Sequence, residues 1–391
     1  MERHVFIVGS KGIPANYGGY ETFVEYLTKY RRNENIHYHV ACKTKDKSKR
    51  YSHFIHNNAD CFHVFVPNIG SAQAIYYDVA ALNYSVKYAK DHQIEQPIFY
   101  ILACRIGPFM QSIVKRVHSI GGKVYVNPDG HEWMRAKWSL PIRKYWKLSE
   151  KLMVKYADLL ICDSQNIEKY IKSVYKKFKP KTTFIAYGSD VKKSTLSEND
   201  PKLVEWFDRY NIKPNEYYLI VGRFVPENNY EVMIREFIRS STNKDLVIIT
   251  NVERNKFFNK LKEKTNFESD DRIKFVGTVY ELELLKKIRE SAYAYLHGHS
   301  VGGTNPSLLE ALASTKINLL FDVGFNREVG KEGALYWNSN PGSLFKLINK
   351  VDNLSINAIQ NLDQKSTQRI LSKYSWSSII ENYEKCFTEV K

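Results

Sequence analysis

Twelve short apolar runs alternate with helix-patterned segments along the whole chain. This alternation constrains the fold most, because strands separated by helices join as βαβ units into parallel sheets. Seven runs fall in the first half: "VFIVG" (5–9), "YHVAC" (38–42), "FHVFV" (62–66), "IFYIL" (98–102), "KVYVN" (123–127), "LLIC" (159–162) and "TTFIA" (182–186). A polar stretch, "YGSDVKKSTLSENDPK", then interrupts the pattern, which restarts with "YYLIVG" (217–222), "LVIIT" (246–250), "IKFVG" (273–277), "AYAYLH" (292–297) and "INLLF" (317–321). At 391 residues the chain is long for one hydrophobic core. Two α/β domains are therefore expected, over residues 1–190 and 191–373, with a last helix at about 374–391 packing back on the first.

Ligands of open parallel sheets bind outside the carboxyl ends of the strands, so the loops after the apolar runs are where chemistry is expected. The first, "GSKGIPANYGGYE", places Gly9, Gly12, Gly18 and Gly19 between a strand and a helix, where backbone can approach an anion closely. It matches neither GxGxxG nor a Walker lysine motif, and a purely structural turn remains open. In "VGRFVPENN", Arg223 follows the strand directly; it either forks onto a diphosphate or pairs with a nearby acid on the surface.

The stretch "HSVGGTNPSLLEALA" (299–313) offers Asn305 as N-cap and Pro306 in the first helical turn, behind Gly302 and Gly303. Glu310 lies too far in for a capping box, so it either holds a ligand hydroxyl or faces water. A fourth stretch, "NPDGHEWMRAKW" (127–138), gathers Asp129, His131, Glu132 and Arg135 beside two tryptophans at a strand end.

Charge and cysteine usage set the surroundings. Residues 1–190 carry 29 Lys and Arg against 16 Asp and Glu, whereas residues 191–391 carry 29 against 26. The basic first half calls for an anionic partner, nucleic acid or an acidic membrane surface. No helix-turn-helix, zinc-finger or aromatic RNA-binding motif accompanies it, which disfavours nucleic acid. The five cysteines are scattered without metal spacing, as in a reduced protein without a zinc site. "MERHVFIVGSKG" enters a strand at once and no apolar run reaches bilayer length, so a cytoplasmic location is expected.

Taken together, "GSKGIPANYGGYETFVE", "AQAIYYDVAAL", "LACRIGPF", "NPDGHEWMRAKW", "GRFVPENNYE" and "HSVGGTNPSLLEALA" resemble the bacterial rhamnosyltransferase branch of the retaining nucleotide-sugar glycosyltransferases. The resemblance spans nearly the whole chain. It implies the GT-B fold, two Rossmann-like domains facing across an interdomain cleft, and a dTDP-β-L-rhamnose donor; a UDP-hexose donor is the alternative within the same scaffold. The acceptor it implies is a hexose (glucose or N-acetylglucosamine) on a lipid diphosphate, linked β-1,4 during capsular or rhamnan polysaccharide assembly.

Carried onto this sequence, the resemblance implies donor binding by Lys11, Gly18 and Gly19 in the first half. In the second half it implies Arg223 on the diphosphate, Glu310 on a ribose hydroxyl, and Asn228, His299, Gly303, Thr304 and Asn305 around them. His131 sits beside the transferred sugar, with Asp129 and Glu132 in the same catalytic group, and Tyr17 and Arg135 contact the acceptor. Asn228 stands where the wider superfamily has a lysine, and Gly302 where it has a first glutamate; Lys11, His299 or Thr304 are the candidate replacements. No Asp-x-Asp occurs, so no metal and no cofactor beyond the sugar nucleotide is expected. Residues 131–156 hold seven Lys or Arg against two Glu among Trp133, Trp138, Tyr145 and Trp146. Arg143, Lys144 and Lys147 of that segment are expected to meet an anionic membrane surface, making the enzyme peripheral on the inner face of the cell membrane.

Overall fold

The apolar runs form the strands of two separate sheets in a computed structural model that describes residues 2–15, 18–134, 138–189, 192–252, 255–301 and 304–389. The chain divides into one unit of Met1–Gly188 with Trp376–Lys391 and another of Ser189–Ser375.

The first unit holds β1 (Arg3–Val8), β2 (Ile36–Thr44), β3 (His53–His56), β4 (Ala59–Phe65), β5 (Ile98–Leu102), β6 (Lys123–Asn127), β7 (Leu159–Cys162) and β8 (Thr182–Phe184). Their order across the sheet is β3-β4-β2-β1-β5-β6-β7-β8. All pairings are parallel except β3 with β4. The second unit holds β9 (Tyr217–Val221), β10 (Asp245–Ile249), β11 (Ile273–Phe275), β12 (Ala294–His297), β13 (Asn318–Phe321) and β14 (Leu335–Trp337), ordered β11-β10-β9-β12-β13-β14 and parallel throughout.

Helices cover both faces of a parallel sheet, so its inner strands are apolar at consecutive positions. β5 is buried at every residue, which is why "IFYIL" reads as a strand without alternation. Two strands left no such run. β3, "HFIH", is an edge strand that alternates exposed and half-buried positions, and β14 is only "LYW". The helix Trp376–Thr388 docks on the first sheet: Tyr383 and Phe387 pack on Tyr100 at 6.0 and 5.9 Å, and Trp376 stacks on Tyr26 at 4.6 Å. The cysteines are unpaired. Among the described residues no helix is long and apolar enough to cross a membrane.

The order of strands reverses direction between β1 and β5 in one sheet and between β9 and β12 in the other. These are the topological switch points, where a crevice opens at the carboxyl ends. The glycine loop lies at the first, and the Arg223 and Glu310 loops lie at the second.

Candidate active site

At the first switch point the glycine loop is held from both sides. Gly9 has φ 107°, and a Cβ there would lie 2.3 Å from the Leu102 carbonyl oxygen at the end of β5. Glu21, buried in the next helix, accepts the Lys11 N–H at 2.7 Å. Gly18 has φ 134°, and its Cβ would fall 1.9 Å from Glu21 Oε2. The helix Gly19–Lys29 starts with no side-chain cap, and Gly19 faces open space. Tyr17 lies outside the described residues.

An ion pair absent from the sequence reading underlies this loop. Arg105, just past β5, donates to the Gly9 carbonyl at 2.7 Å and to Asp78 Oδ2 at 3.3 Å. Asp78 is fully buried, and its Oδ1 has no hydrogen-bond partner. Burial raises its pKa to about 6, against the pull of Arg105. The native state therefore binds this proton more tightly than the unfolded chain, whose Asp titrates near pH ~3.9. Stability from this group is greatest below about pH 4 and falls as the pH rises to about 6, by roughly 3 kcal/mol in all. Asp78→Asn is expected to flatten that part of the profile, read by urea unfolding across the interval. A variant with the parent's slope would assign the pH dependence elsewhere.

Past β6 the backbone is strained where the sequence gathers its polar residues. Asp129 and His131 take φ 56° and 48°, the left-handed region that non-glycine residues occupy uncommonly. Asn127, fully buried at the end of β6, accepts the Asp129 N–H at 2.9 Å and shapes the turn. The His131 ring packs edge-on against Tyr170 at 4.2 Å and Trp133 at 5.9 Å. Burial, its largest influence, lowers the His131 pKa, so the imidazole stays neutral near pH 7. Glu132 accepts the Trp138 indole N–H at 2.9 Å. Arg135 lies outside the described residues.

Behind His131, Glu150 is buried and accepts from Tyr170 at 2.6 Å, from Lys147 at 3.1 Å and from Tyr175. The Lys147 ammonium sits 4.4 Å from the Trp133 ring centroid and 4.9 Å from that of Tyr170. Lys147, grouped by the sequence with surface cations, thus turns inward to support the His131 wall. Arg143 donates from Nε to the Trp138 carbonyl at 3.0 Å, whereas Lys144 is exposed.

At the second switch point two loops are laced together. Asn228 donates from Nδ2 to the Arg223 carbonyl at 2.7 Å and accepts from His299 Nδ1 at 2.9 Å. Asn228 therefore joins the loops after β9 and β12. Asn229 adds a bond to the Gly298 carbonyl at 2.7 Å, and Ser300 bonds through N and Oγ to the Glu227 carbonyl at 3.0 and 2.7 Å. Arg223 is exposed, and its guanidinium has no hydrogen bond or ion pair among the described residues.

The helix Pro306–Ser314 opens on Asn305, whose side chain accepts from the Ser307 and Leu308 N–H groups at 2.9 and 3.4 Å. Those amides are thus already partnered by the cap. The dipole of the helix leaves partial positive charge at this start. Thr304 is buried; Gly302 and Gly303 lie outside the described residues. Glu310 neither points free into water nor stands alone: its Oε2 is 2.7 Å from Nη2 of Arg289, a guanidinium that is 2% exposed. Arg289 also donates to Ser307 Oγ at 3.2 Å, and Ser307 and Tyr295 bond to the Val221 carbonyl at 3.3 and 3.0 Å. Helix start, strand end and acid are thereby fixed as one body.

Two parallel-sheet, Rossmann-like units with their crevice loops at the switch points define the GT-B fold. Residues 204–371 match the model of glycosyl transferases group 1, so the second unit is a glycosyltransferase group 1 domain. Residues 2–190 match a domain of unknown function, DUF1972. No curated protein matches the chain. Among solved structures it is similar to sucrose-phosphate synthase from Thermosynechococcus elongatus, at 14% identity and TM-score 0.78, over 100% of this chain and 99% of that one. It is also similar to α,α-trehalose 6-phosphate synthase from Burkholderia multivorans, at 11% identity and TM-score 0.76, over 100% and 97%. The complex of Anabaena HepE with UDP-glucose follows at 12% identity and TM-score 0.68, over 100% of both chains.

Proposed function

We propose that the protein is a retaining glycosyltransferase that moves L-rhamnose from dTDP-β-L-rhamnose to a lipid-diphosphate-linked glucose or N-acetylglucosamine, forming a β-1,4 linkage in cell-surface polysaccharide assembly. The observation that carries this reading is the pairing, within the glycosyltransferase group 1 domain, of an uncompensated Arg223 with Glu310 held in place by Arg289. Arg223 takes the diphosphate, the dipole of the helix Pro306–Ser314 favours the charge growing on it, and Glu310 accepts from a nucleoside hydroxyl. Lys11 and the uncapped helix after Gly18 supply further anion contacts.

Neutral His131, braced by Tyr170 and Trp133, hydrogen-bonds the transferred sugar. Reaction runs on one face of that sugar: the bond from its anomeric carbon to the phosphate oxygen breaks as the bond to the acceptor oxygen forms. The acceptor proton passes to the departing phosphate oxygen, so no protein base is required. Enzyme, a synthetic lipid-diphosphate acceptor and each of dTDP-rhamnose, UDP-glucose and UDP-galactose are incubated, and the product anomer is assigned by NMR. A β-linked rhamnoside is expected; an α-linked product would exclude retention, and preferred use of a UDP-hexose would reassign the donor. Transfer should persist in EDTA, because arginine and helix dipole compensate the diphosphate charge; loss restored by magnesium or manganese would contradict that.

The lipid-borne acceptor is reached from the membrane surface. On the helix Leu140–Tyr156, Leu140, Lys144 and Leu148 share one exposed stripe at four-residue spacing, with exposed Lys151 and Lys155 further along. Leucines at the headgroup level with lysines on anionic phosphates fit an interfacial helix. Replacing Lys144, Lys151 and Lys155 with Glu should release the protein from phosphatidylserine-containing vesicles, as should raised salt for the parent. Equal binding to neutral and anionic vesicles would count against this surface.

A further inference from the structure

At the amino-terminal ends of β1 and β2, opposite the loops just described, four histidines and two carboxylates form a connected group. Strand alternation sends His37 and His39 of β2 to one face, and the register that pairs His4 with His37 brings His4 beside them. The His4 ring stacks 4.9 Å from His37 and 5.2 Å from His39. The Glu2 carboxylate oxygens lie 4.0 Å from His4 Nε2 and 3.8 Å from His37 Nε2. Glu2, His4 and His37 thus each offer a donor atom, all within 4.8 Å of one another.

The tautomers follow from the chain behind them. Asp60 accepts from His39 Nδ1–H at 3.3 Å and from His53 Nδ1–H at 2.8 Å. With that tautomer, His39 accepts through Nε2 the Nδ1–H of His4 at 2.9 Å. The lone pair of His4 is thereby assigned to Nε2, the atom facing Glu2 and His37. A carboxylate acting through an imidazole to orient a ligating imidazole is the arrangement that tunes metal-bound histidines.

We propose that Glu2, His4 and His37 bind a divalent transition-metal ion, zinc foremost, with water in the remaining position. Two imidazoles and one carboxylate suit zinc, whose bonds of about 2.0–2.2 Å need donor atoms that now lie within 4.8 Å of one another to draw together to about 3.4 Å. The Glu2 carboxylate belongs to an exposed side chain, and the His37 ring, now stacked on His4 at 25°, must turn for the two lone pairs to converge on the ion. The ion would tie residue 2 to two adjacent central strands, at the end of the sheet away from the glycine loop and His131. Its role is structural.

The test uses the full chain with no histidine tag, dialysed against chelator, then titrated with Zn²⁺ by calorimetry and with Co²⁺ by visible absorption. One ion per chain, a four-coordinate Co²⁺ spectrum abolished by Zn²⁺ and a melting temperature raised by Zn²⁺ are expected. His37→Gln and Glu2→Gln, each with the parent's circular dichroism spectrum in chelator, should weaken Zn²⁺ binding at least about tenfold. They should also cancel the Zn²⁺-dependent rise in melting temperature. No stoichiometric binding by the parent, or binding unchanged in both variants, would overturn the site.

Discussion

Replacing Arg223 by alanine is expected to lower kcat/KM for sugar transfer by about 10²–10³-fold, the loss of roughly 3–4 kcal/mol of transition-state stabilisation that removal of one preorganised donor produces. The melting temperature should not move. Arg223 is exposed and its guanidinium bonds to nothing among the described residues, while the geometry of its loop is set by its carbonyl and Asn228. A side chain that does nothing for the fold and stands at a switch point is free for an anionic ligand. Steady-state kinetics with dTDP-rhamnose, beside a thermal melt, separates the two effects. Near-parent kcat/KM would remove Arg223 from the site.

Glu310→Ala should behave differently, losing stability together with activity. Its partner Arg289 is 2% exposed, and alanine would leave that guanidinium buried with only Ser307 Oγ. Breaking a buried pair costs about 3–5 kcal/mol; Glu310 is one-third exposed, so roughly 2–3 kcal/mol is expected here. Donor affinity should fall as well under the proposed function, in which Glu310 accepts from a nucleoside hydroxyl. Glu310→Gln keeps an oxygen for Arg289 and should recover part of the stability with less of the affinity. Urea unfolding of the three proteins reads the ladder, and an alanine variant as stable as the parent would show that the pair does not hold the helix start. From the sequence alone this substitution would leave the fold intact; the Arg289 contact changes that expectation.

The contrast between Arg223 and Arg289 shows what a sequence discloses. Parallel strands buried on both faces write themselves as unbroken apolar runs, so most strands, and the loops at their ends, can be located directly. A cation immediately after such a run, as at Arg223, announces itself by position. Arg105 follows β5 in the same way, yet its role depends on Asp78, which reaches it from a helix preceding the strand. Arg289 lies in "LLKKIRE", a segment that reads as a solvated helix; only the fold buries it against Glu310. Lys147 reads as a surface cation until Glu150, Tyr170 and Trp133 close around it. β3 and β14 stayed hidden because an edge strand and a three-residue strand carry too little burial to leave a pattern. Asn228 proves to be a bridge between loops, a role that spacing along the chain does not encode.

The proposed binding of a sugar nucleotide at the loops after β9 and β12 is tested most directly by calorimetric titration of dTDP into the parent chain and the Arg223→Ala variant. One dTDP per parent chain, with affinity at least about 100-fold weaker in the variant, is the predicted result. Absence of nucleotide binding by the parent, or equal affinity in both proteins, would contradict it.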